Sequence, residues 1–314
     1  MIKKIAVIGA GTMGHGIAET FTLYGYSVNL FDVNAEVLEK AKQQIREELS
    51  GLVAEDYTSV ADADAALARI ETVTDMAKAV ADRDFVIEAA PEKMELKQQL
   101  LKSLDELAPK HAILATNTSS LSFAEMCALL SEDRKKRTMV NHWYNPAHLM
   151  PLVELSFFGN MPAEIYEEVA ALYASVEKQT AKVLKDVPGL IANRIQQGVA
   201  REAFSLIEKG VAEPADIDIA LKFGPAFRYA TTGQLEVADF GGLDIWCVVG
   251  DNLLQAMDNS TQANPMLRKK VSEGKLGLKS GEGFFQYPPE KIAAIRQKFT
   301  HRLIHQLKAS REYI

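Results

Sequence analysis

Ile5-Ala6-Val7-Ile8-Gly9-Ala10-Gly11-Thr12-Met13-Gly14 is the stretch whose reading decides the fold. An apolar run, Ile5–Ile8, reads as a buried strand, and a G-x-G-x-x-G pattern follows it. Gly9 permits a tight turn, Gly11 lets a diphosphate approach the backbone, and Gly14 lets the next helix pack against the strand. The helix opening near Met13 points N–H groups and its positive dipole end at that diphosphate, so Thr12 and Met13 join the glycines as expected contacts. Asp32 lies 18 residues beyond Gly14, at the end of the next apolar run, Val28–Phe31. A carboxylate there accepts hydrogen bonds from the ribose hydroxyls of NAD and repels the extra phosphate of NADP. Val33-Asn34-Ala35 supplies no arginine to reverse that choice. The bland reading, a glycine turn that binds nothing, is the weaker one in this strand–helix–Asp context.

Outward from this motif, short apolar runs alternate with helical patterns. Phe85–Ala89, Ala112–Ala115 and Met139–His142 continue the strands, with helices such as Ala35–Leu49 and Glu92–Leu107 between them. Pro151–Phe157 gives another strand, Ala163–Lys178 a helix, and Thr180–Leu184 a further strand. That alternation predicts an α/β domain, a Rossmann-type doubly wound and mostly parallel sheet with helices on both faces. Asp186-Val187-Pro188-Gly189 punctuates the chain, and no strand pattern follows. Leu190–Lys209, Glu213–Phe223, Gly242–Asp258 and Pro265–Glu273 read as helices. The expected organisation is an NAD-binding domain over 1–187 and an all-α domain over 188–314 for substrate and dimerisation.

Composition excludes several other classes. The 314 residues are 47% hydrophobic and 25% charged, ordinary values for a globular chain. A net charge of −7 makes a general polyanion binder a poor expectation, and nothing suggests nucleic-acid binding. No stretch reaches the roughly 20 apolar residues of a membrane span, and the N-terminus lacks a signal-peptide pattern. The two cysteines, Cys127 and Cys247, give no disulfide framework. A reducing, cytoplasmic setting is the expectation.

Met139-Val140-Asn141-His142-Trp143-Tyr144-Asn145-Pro146 falls where a strand ends, on the ligand side of such a sheet. Glu154 follows His142 by twelve residues in an otherwise apolar strand. A carboxylate buried there is costly unless paired, and an imidazole is its natural partner. The pair would make His142 a general base oriented by Glu154. Spacing alone leaves equally open a core histidine beside a surface glutamate.

With these residues in view, the chain resembles the 3-hydroxyacyl-CoA dehydrogenases over nearly its whole length. The matching pieces are the fingerprint, Glu88-Ala89-Ala90-Pro91-Glu92, Asn117-Thr118-Ser119-Ser120-Leu121, the His142–Asn145 turn with Glu154, Pro188-Gly189-Leu190-Ile191-Ala192-Asn193-Arg194, Gly242-Leu243-Asp244 and Lys279-Ser280-Gly281-Glu282-Gly283-Phe284-Phe285. The resemblance implies a Rossmann-type domain, a dimerising helical domain and NAD-dependent oxidation of a 3-hydroxyacyl-CoA, such as 3-hydroxybutyryl-CoA, to the 3-keto product in fatty acid metabolism. It implies His142 as base, Glu154 as orienting carboxylate, and Ser119 and Asn193 at the reacting oxygen. Asn145 falls near the substrate carbonyl, and Glu92, Lys97 and Asn117 fall on the cofactor side. Turn formation and helix capping are the plain alternatives for Ser119 and Asn193.

The thioester is the main expectation, and two departures pull against it toward a rival class, a free small 3-hydroxy acid or zwitterion. Residues 47–69 carry Glu47, Glu48, Glu55, Asp56, Asp62 and Asp64 against Arg69 alone, which disfavours the phosphates of coenzyme A by like-charge repulsion, unless this surface faces elsewhere. Gly224-Pro225-Ala226-Phe227-Arg228-Tyr229-Ala230 is similar to relatives that oxidise small carboxylates or zwitterions, the gulonate, carnitine and pyridoxine-breakdown dehydrogenases. Arg228 could fork onto a carboxylate, or serve a surface ion pair. Trp143 could line a pocket for a flat substrate or pack the core. A third reading is a retired enzyme that keeps only the NAD site, against which the full Ser119, His142, Glu154 and Asn193 set argues. His301 and His305, at i and i+4, have no supporting ligand context, and no metal site is expected. His15 and His148 lie near the cofactor loop and the active turn without a definite role. The apolar faces of Leu190–Ile207 and Ile245–Met257 exceed what a small helical domain buries alone, which points to a homodimer through that domain.

Overall fold

The opening apolar run is strand β1 (Lys4–Ile8), buried from its second residue onward. The computed structural model describes residues 2–313. The other strands are β2 (Ser27–Phe31), β3 (Ile70–Val73), β4 (Phe85–Glu88), β5 (Ile113–Thr116), β6 (Thr138–Trp143), β7 (Leu152–Ser156) and β8 (Gln179–Val183), in one sheet of order β3-β2-β1-β4-β5-β6-β7-β8. All neighbours pair in parallel except β6 and β7, which are antiparallel. The chain winds from β1 outward through β2 and then returns to β4 on β1's other side. The crevice at this reversal is where such sheets bind ligands.

Seven of these eight strands follow the apolar runs in the sequence. The eighth, β3, escapes that reading because Ile70-Glu71-Thr72-Val73 is only four residues long and half-exposed at the sheet edge. The helices are α1 (Gly14–Leu23), α2 (Ala35–Ala54), α3 (Val60–Ala68), α4 (Met76–Val80), α5 (Met94–Leu107), α6 (Phe123–Met126), α7 (Glu132–Lys135) and α8 (Ala163–Ala174). Helix α2 shows why they form: Leu38, Ala41, Ile45, Leu49 and Leu52 recur at helical spacing on its buried face. Asn34 caps its start by accepting from the Glu36 amide at 2.8 Å. Helix α5 begins at Met94, two residues later than its sequence pattern suggests, because Glu92 turns its side chain to the loop after β5.

On one face of the sheet Ile8, Val86, Leu114 and Val140 pack with Leu101, Leu104 and Met126. On the other, Phe21, Trp143, Phe85 and Tyr173 form an aromatic cluster, with Phe21 5.7 Å from Trp143 and Trp143 5.4 Å from Tyr173.

The chain divides into units Met1–Ile191 and Ala192–Ile314, a little beyond the Asp186–Gly189 punctuation. The second unit is helical: α9 (Ala192–Glu208), α10 (Pro214–Phe223), α11 (Pro225–Tyr229), α12 (Gln234–Gly241), α13 (Leu243–Leu253), α14 (Pro265–Ser272) and α15 (Ile292–Ser310). Gly233 and Gly242, both at positive φ, bound α12, a helix in a stretch where the sequence reading places none. Within this unit Phe204 and Phe284 stack at 5.5 Å. No helix among the described residues is long and apolar enough to cross a membrane.

The three glycines of the fingerprint differ sharply in what a side chain would meet. A Cβ at Gly14 would lie 1.7 Å from the Gly9 carbonyl oxygen, whereas one at Gly11 would meet nothing within 4 Å. Gly14→Ala is therefore expected to lower stability by about 1–3 kcal/mol or more in urea unfolding, the cost of overpacking, and Gly11→Ala to stay within about 0.5 kcal/mol of the parent.

Candidate active site

The glycine loop lies at the sheet's reversal point. Gly9, at φ +104°, comes so close to β4's exit that a Cβ would lie 2.8 Å from the Ala89 carbonyl oxygen. Gly11 and Thr12 are exposed, Met13 is half-buried, and no side chain caps the start of α1. The uncapped N–H groups and the open space at Gly11 fit a diphosphate. Asp32 accepts from the Ala10 amide at 3.1 Å through Oδ2 and from the Asn34 amide at 3.0 Å through Oδ1. It thus braces the glycine loop and keeps lone pairs for ribose hydroxyls. These residues suit a dinucleotide.

His142 and Glu154 are directly paired across the antiparallel β6–β7 ladder. Side chains directly opposite on adjacent strands share a face, so register alone brings them together. His142 Nδ1 is 2.8 Å from Glu154 Oε2, and Glu154 is completely buried. Its other oxygen, Oε1, accepts from the Ile191 amide at 2.8 Å. The tautomer that donates Nδ1–H to Glu154 leaves the lone pair on Nε2, as a general base needs. The sequence alternative of a surface glutamate is therefore excluded.

The loop after β5 is held by Glu92. Its Oε1 accepts from Thr118 Oγ1 at 2.7 Å, from the Ser119 amide at 2.9 Å, and from the Ser120 amide at 3.0 Å. Burial pushes the Glu92 carboxyl up, but these bonds and nearby Lys97 bring it below the usual value. Ser119 also accepts from the Gly189 amide at 3.0 Å through its carbonyl, while its hydroxyl bonds to none of the described residues. Asn117 Oδ1 accepts from the Trp143 amide at 2.8 Å, tying this loop to the end of β6. Asn145 is exposed in the following turn. Asn193, the second residue of α9, and exposed Arg228 on α11 belong to the second unit.

Several sequence readings change. Lys97 does not line a ligand site: fully buried, its Nζ lies 2.8 Å from both Glu88 oxygens and 3.5 Å from Glu92, so it neutralises Glu88 and steadies the Glu92 clamp. Trp143 is a core residue, 2% exposed, because it points to the opposite face from His142 and joins the aromatic cluster. His15 and His148 turn inward toward Glu48, at 3.2 and 3.6 Å, and burial pushes His148 down to about 4. Glu48 thus leaves the acidic surface counted from sequence.

Two residues escaped the sequence reading. Tyr144 sets its ring edge-on to His142, centroids 5.2 Å apart, and burial, then Glu154, pushes its phenol up to about 12. Its place inside the His142–Asn145 turn was the available signal. Lys178 donates to the Ala147 and Met150 carbonyls at 2.7 and 2.8 Å, pinning the turn beyond Asn145. Burial brings its ammonium down to about 7. A lysine between a helix and a strand offered no sequence signal for this.

Comparison with known proteins agrees with these features. The family profile described as "3-hydroxyacyl-CoA dehydrogenase, NAD binding domain" matches residues 4–187, and "3-hydroxyacyl-CoA dehydrogenase, C-terminal domain" matches residues 189–287. A 5-formyl-3-hydroxy-2-methylpyridine 4-carboxylate 5-dehydrogenase of Mesorhizobium japonicum is 32% identical over 97% of each chain. A probable 3-hydroxybutyryl-CoA dehydrogenase of Bacillus subtilis is 35% identical over 91% of this chain and 98% of its own. The crystal structure of a dehydrogenase for that pyridine carboxylic acid, described as an NAD+-dependent dismutase, superposes with a TM-score of 0.89 at 30% identity over 99% of both chains. Fingerprint, cofactor loop and both matched halves agree, and this chain belongs to the NAD-dependent 3-hydroxyacyl-CoA dehydrogenase family of oxidoreductases.

Proposed function

We propose that this protein oxidises the hydroxyl-bearing carbon of a small free carboxylate or zwitterion, using NAD, with His142 as general base. The observation that carries the reaction type is the buried His142–Glu154 pair at the ligand end of β6. NAD, when bound, supplies the hydride acceptor. Gly9, Gly11, Thr12, Met13, Gly14 and Asp32 would hold it. His142 Nε2 takes the hydroxyl proton as the carbon–oxygen bond gains double-bond character. Glu154 keeps the ring in the right tautomer and offsets the imidazolium charge. Ser119 donates its free hydroxyl to the substrate oxygen, and Asn193 is assigned a role at the same oxygen. Asn145 contacts the substrate carbonyl.

The substrate class follows from charge and from the relatives. Glu47, Asp56, Asp62 and Asp64 remain exposed on α2, α3 and the segment between them, a poor surface for a phosphate-rich ligand. The Arg228 guanidinium is exposed and makes no bond to any described residue, so it is available to a carboxylate. The relative named for a pyridine carboxylate, matching the chain nearly end to end, supports the same reading. The second reading, a 3-hydroxyacyl-CoA thioester such as 3-hydroxybutyryl-CoA, draws its support from the relatives named for that chemistry.

A homodimer through the second unit completes the proposal. Within one chain Phe223, Phe227, Leu235 and Phe240 are 72–83% exposed, and no residue of α13 is buried. Apolar surface of this extent marks a subunit contact.

Each part of the proposal has an expected outcome. His142→Gln should lose about 10²- to 10⁴-fold in kcat with NAD affinity by fluorescence titration unchanged; near-parental turnover would remove the base assignment. In an NADH-absorbance screen of 3-hydroxybutyryl-CoA against gulonate, carnitine and pyridine carboxylates, the free acids should lead. Arg228→Ala should raise their KM at least about tenfold, the scale of a lost charge-assisted bond. A preference for the thioester, indifferent to Arg228, would select the second reading. Light scattering should give about twice the 34.6 kDa chain mass, and Phe240→Glu should shift it toward the monomer.

A further inference from the structure

The underside of the glycine helix carries a polar cluster that the proposed chemistry does not use. Glu19 on α1 is 1% exposed and has no hydrogen-bond donor beside it; burial, then the facing Glu48, pushes its carboxyl well up. Glu48 Oε2 on α2 and His148 Nδ1 in the turn after β6 are also buried without partners. His148 Nδ1 is 3.6 Å from Glu48 Oε2, and donor atoms of Glu19, Glu48 and His148 all lie within 4.8 Å of one another. The cations facing the cluster leave both Glu19 oxygens and Glu48 Oε2 without a donor. His15 spans the Gly11 carbonyl at 2.7 Å and Glu48 Oε1 at 3.2 Å, and Lys178 donates to two backbone carbonyls. Lone pairs from three separate elements therefore converge on one dry point, where buried polar groups require a partner.

We propose that Glu19, Glu48 and His148 form a site for a divalent first-row transition ion of the zinc class. One imidazole and two carboxylates are a zinc-type donor set. A tetrahedron with bonds of about 2.1 Å has edges of about 3.4 Å, close to the 3.6 Å between His148 and Glu48. Magnesium, which prefers six oxygens and retains its waters, fits less well. The ion would tie α1, α2 and the turn beyond His142 into one rigid block, and it reverses the sequence expectation of no metal. Its place is structural, apart from Nε2 of His142.

The test uses the full-length protein, freed of metal by chelator and titrated with Zn2+ by calorimetry, with bound metal counted by mass spectrometry. One ion per chain is expected, with a raised Tm. Glu19→Gln and His148→Ala should each bind at least about tenfold more weakly, the scale on which even outer-shell partners act. His142→Gln and the double variant His301→Ala/His305→Ala should bind as the parent does. X-ray absorption at the zinc edge of the unmutated protein should show a single imidazole among oxygen donors, a readout independent of whether the variants fold. Absence of binding, binding indifferent to Glu19 and His148, or two imidazoles around the metal would each overturn the site.

Discussion

A carboxylate with no exposure to water, placed in a β-strand, is the constraint around which the candidate active site is arranged. Glu154 must be compensated inside the sheet. The antiparallel turn from β6 to β7 does this by setting His142 directly opposite, and the Ile191 amide meets the second oxygen. An all-parallel continuation would have separated the two residues by a long crossover. The single antiparallel step in the sheet is therefore what makes a twelve-residue spacing into a hydrogen-bonded pair.

The rest of the first unit aligns a cofactor and a loop with that pair. The sheet reversal brings Gly9 against the exit of β4, and Asp32 reaches back to the Ala10 amide. Lys97, buried under Glu88 and Glu92, supplies the positive charge that lets two carboxylates occupy one small region. Breaking such a buried set at any member leaves an uncompensated charge, so these residues act as one unit.

Much of this was legible in the sequence because its signals are local. The fingerprint and the strand–helix alternation depend on spacing along a strand or turn, whereas the His142–Glu154 pairing, left open by spacing, is decided by the antiparallel register. What was not legible depends on which face a side chain takes. Trp143 adjoins His142 in sequence yet points away from it, since neighbours on a strand face opposite sides. Lys97 looks like a ligand contact until its ammonium is seen locked between two acids. His148 and Glu48, a hundred residues apart, meet only through the packing of α1 and α2 beneath the active turn. The edge strand β3 was too short and too exposed to show a period.

The Ser119 and Ser120 amides are already committed to Glu92. They cannot serve as the pair of main-chain donors with which many enzymes grip a substrate oxygen. In the function proposed above, that grip falls to side-chain groups, the Ser119 hydroxyl first among them. Side chains change by single codons, whereas a backbone cradle must be rebuilt whole. A scaffold arranged in this way can exchange one class of alcohol for another while its redox machinery stays in place, in keeping with relatives named for molecules as unlike as a fatty thioester and a pyridine ring.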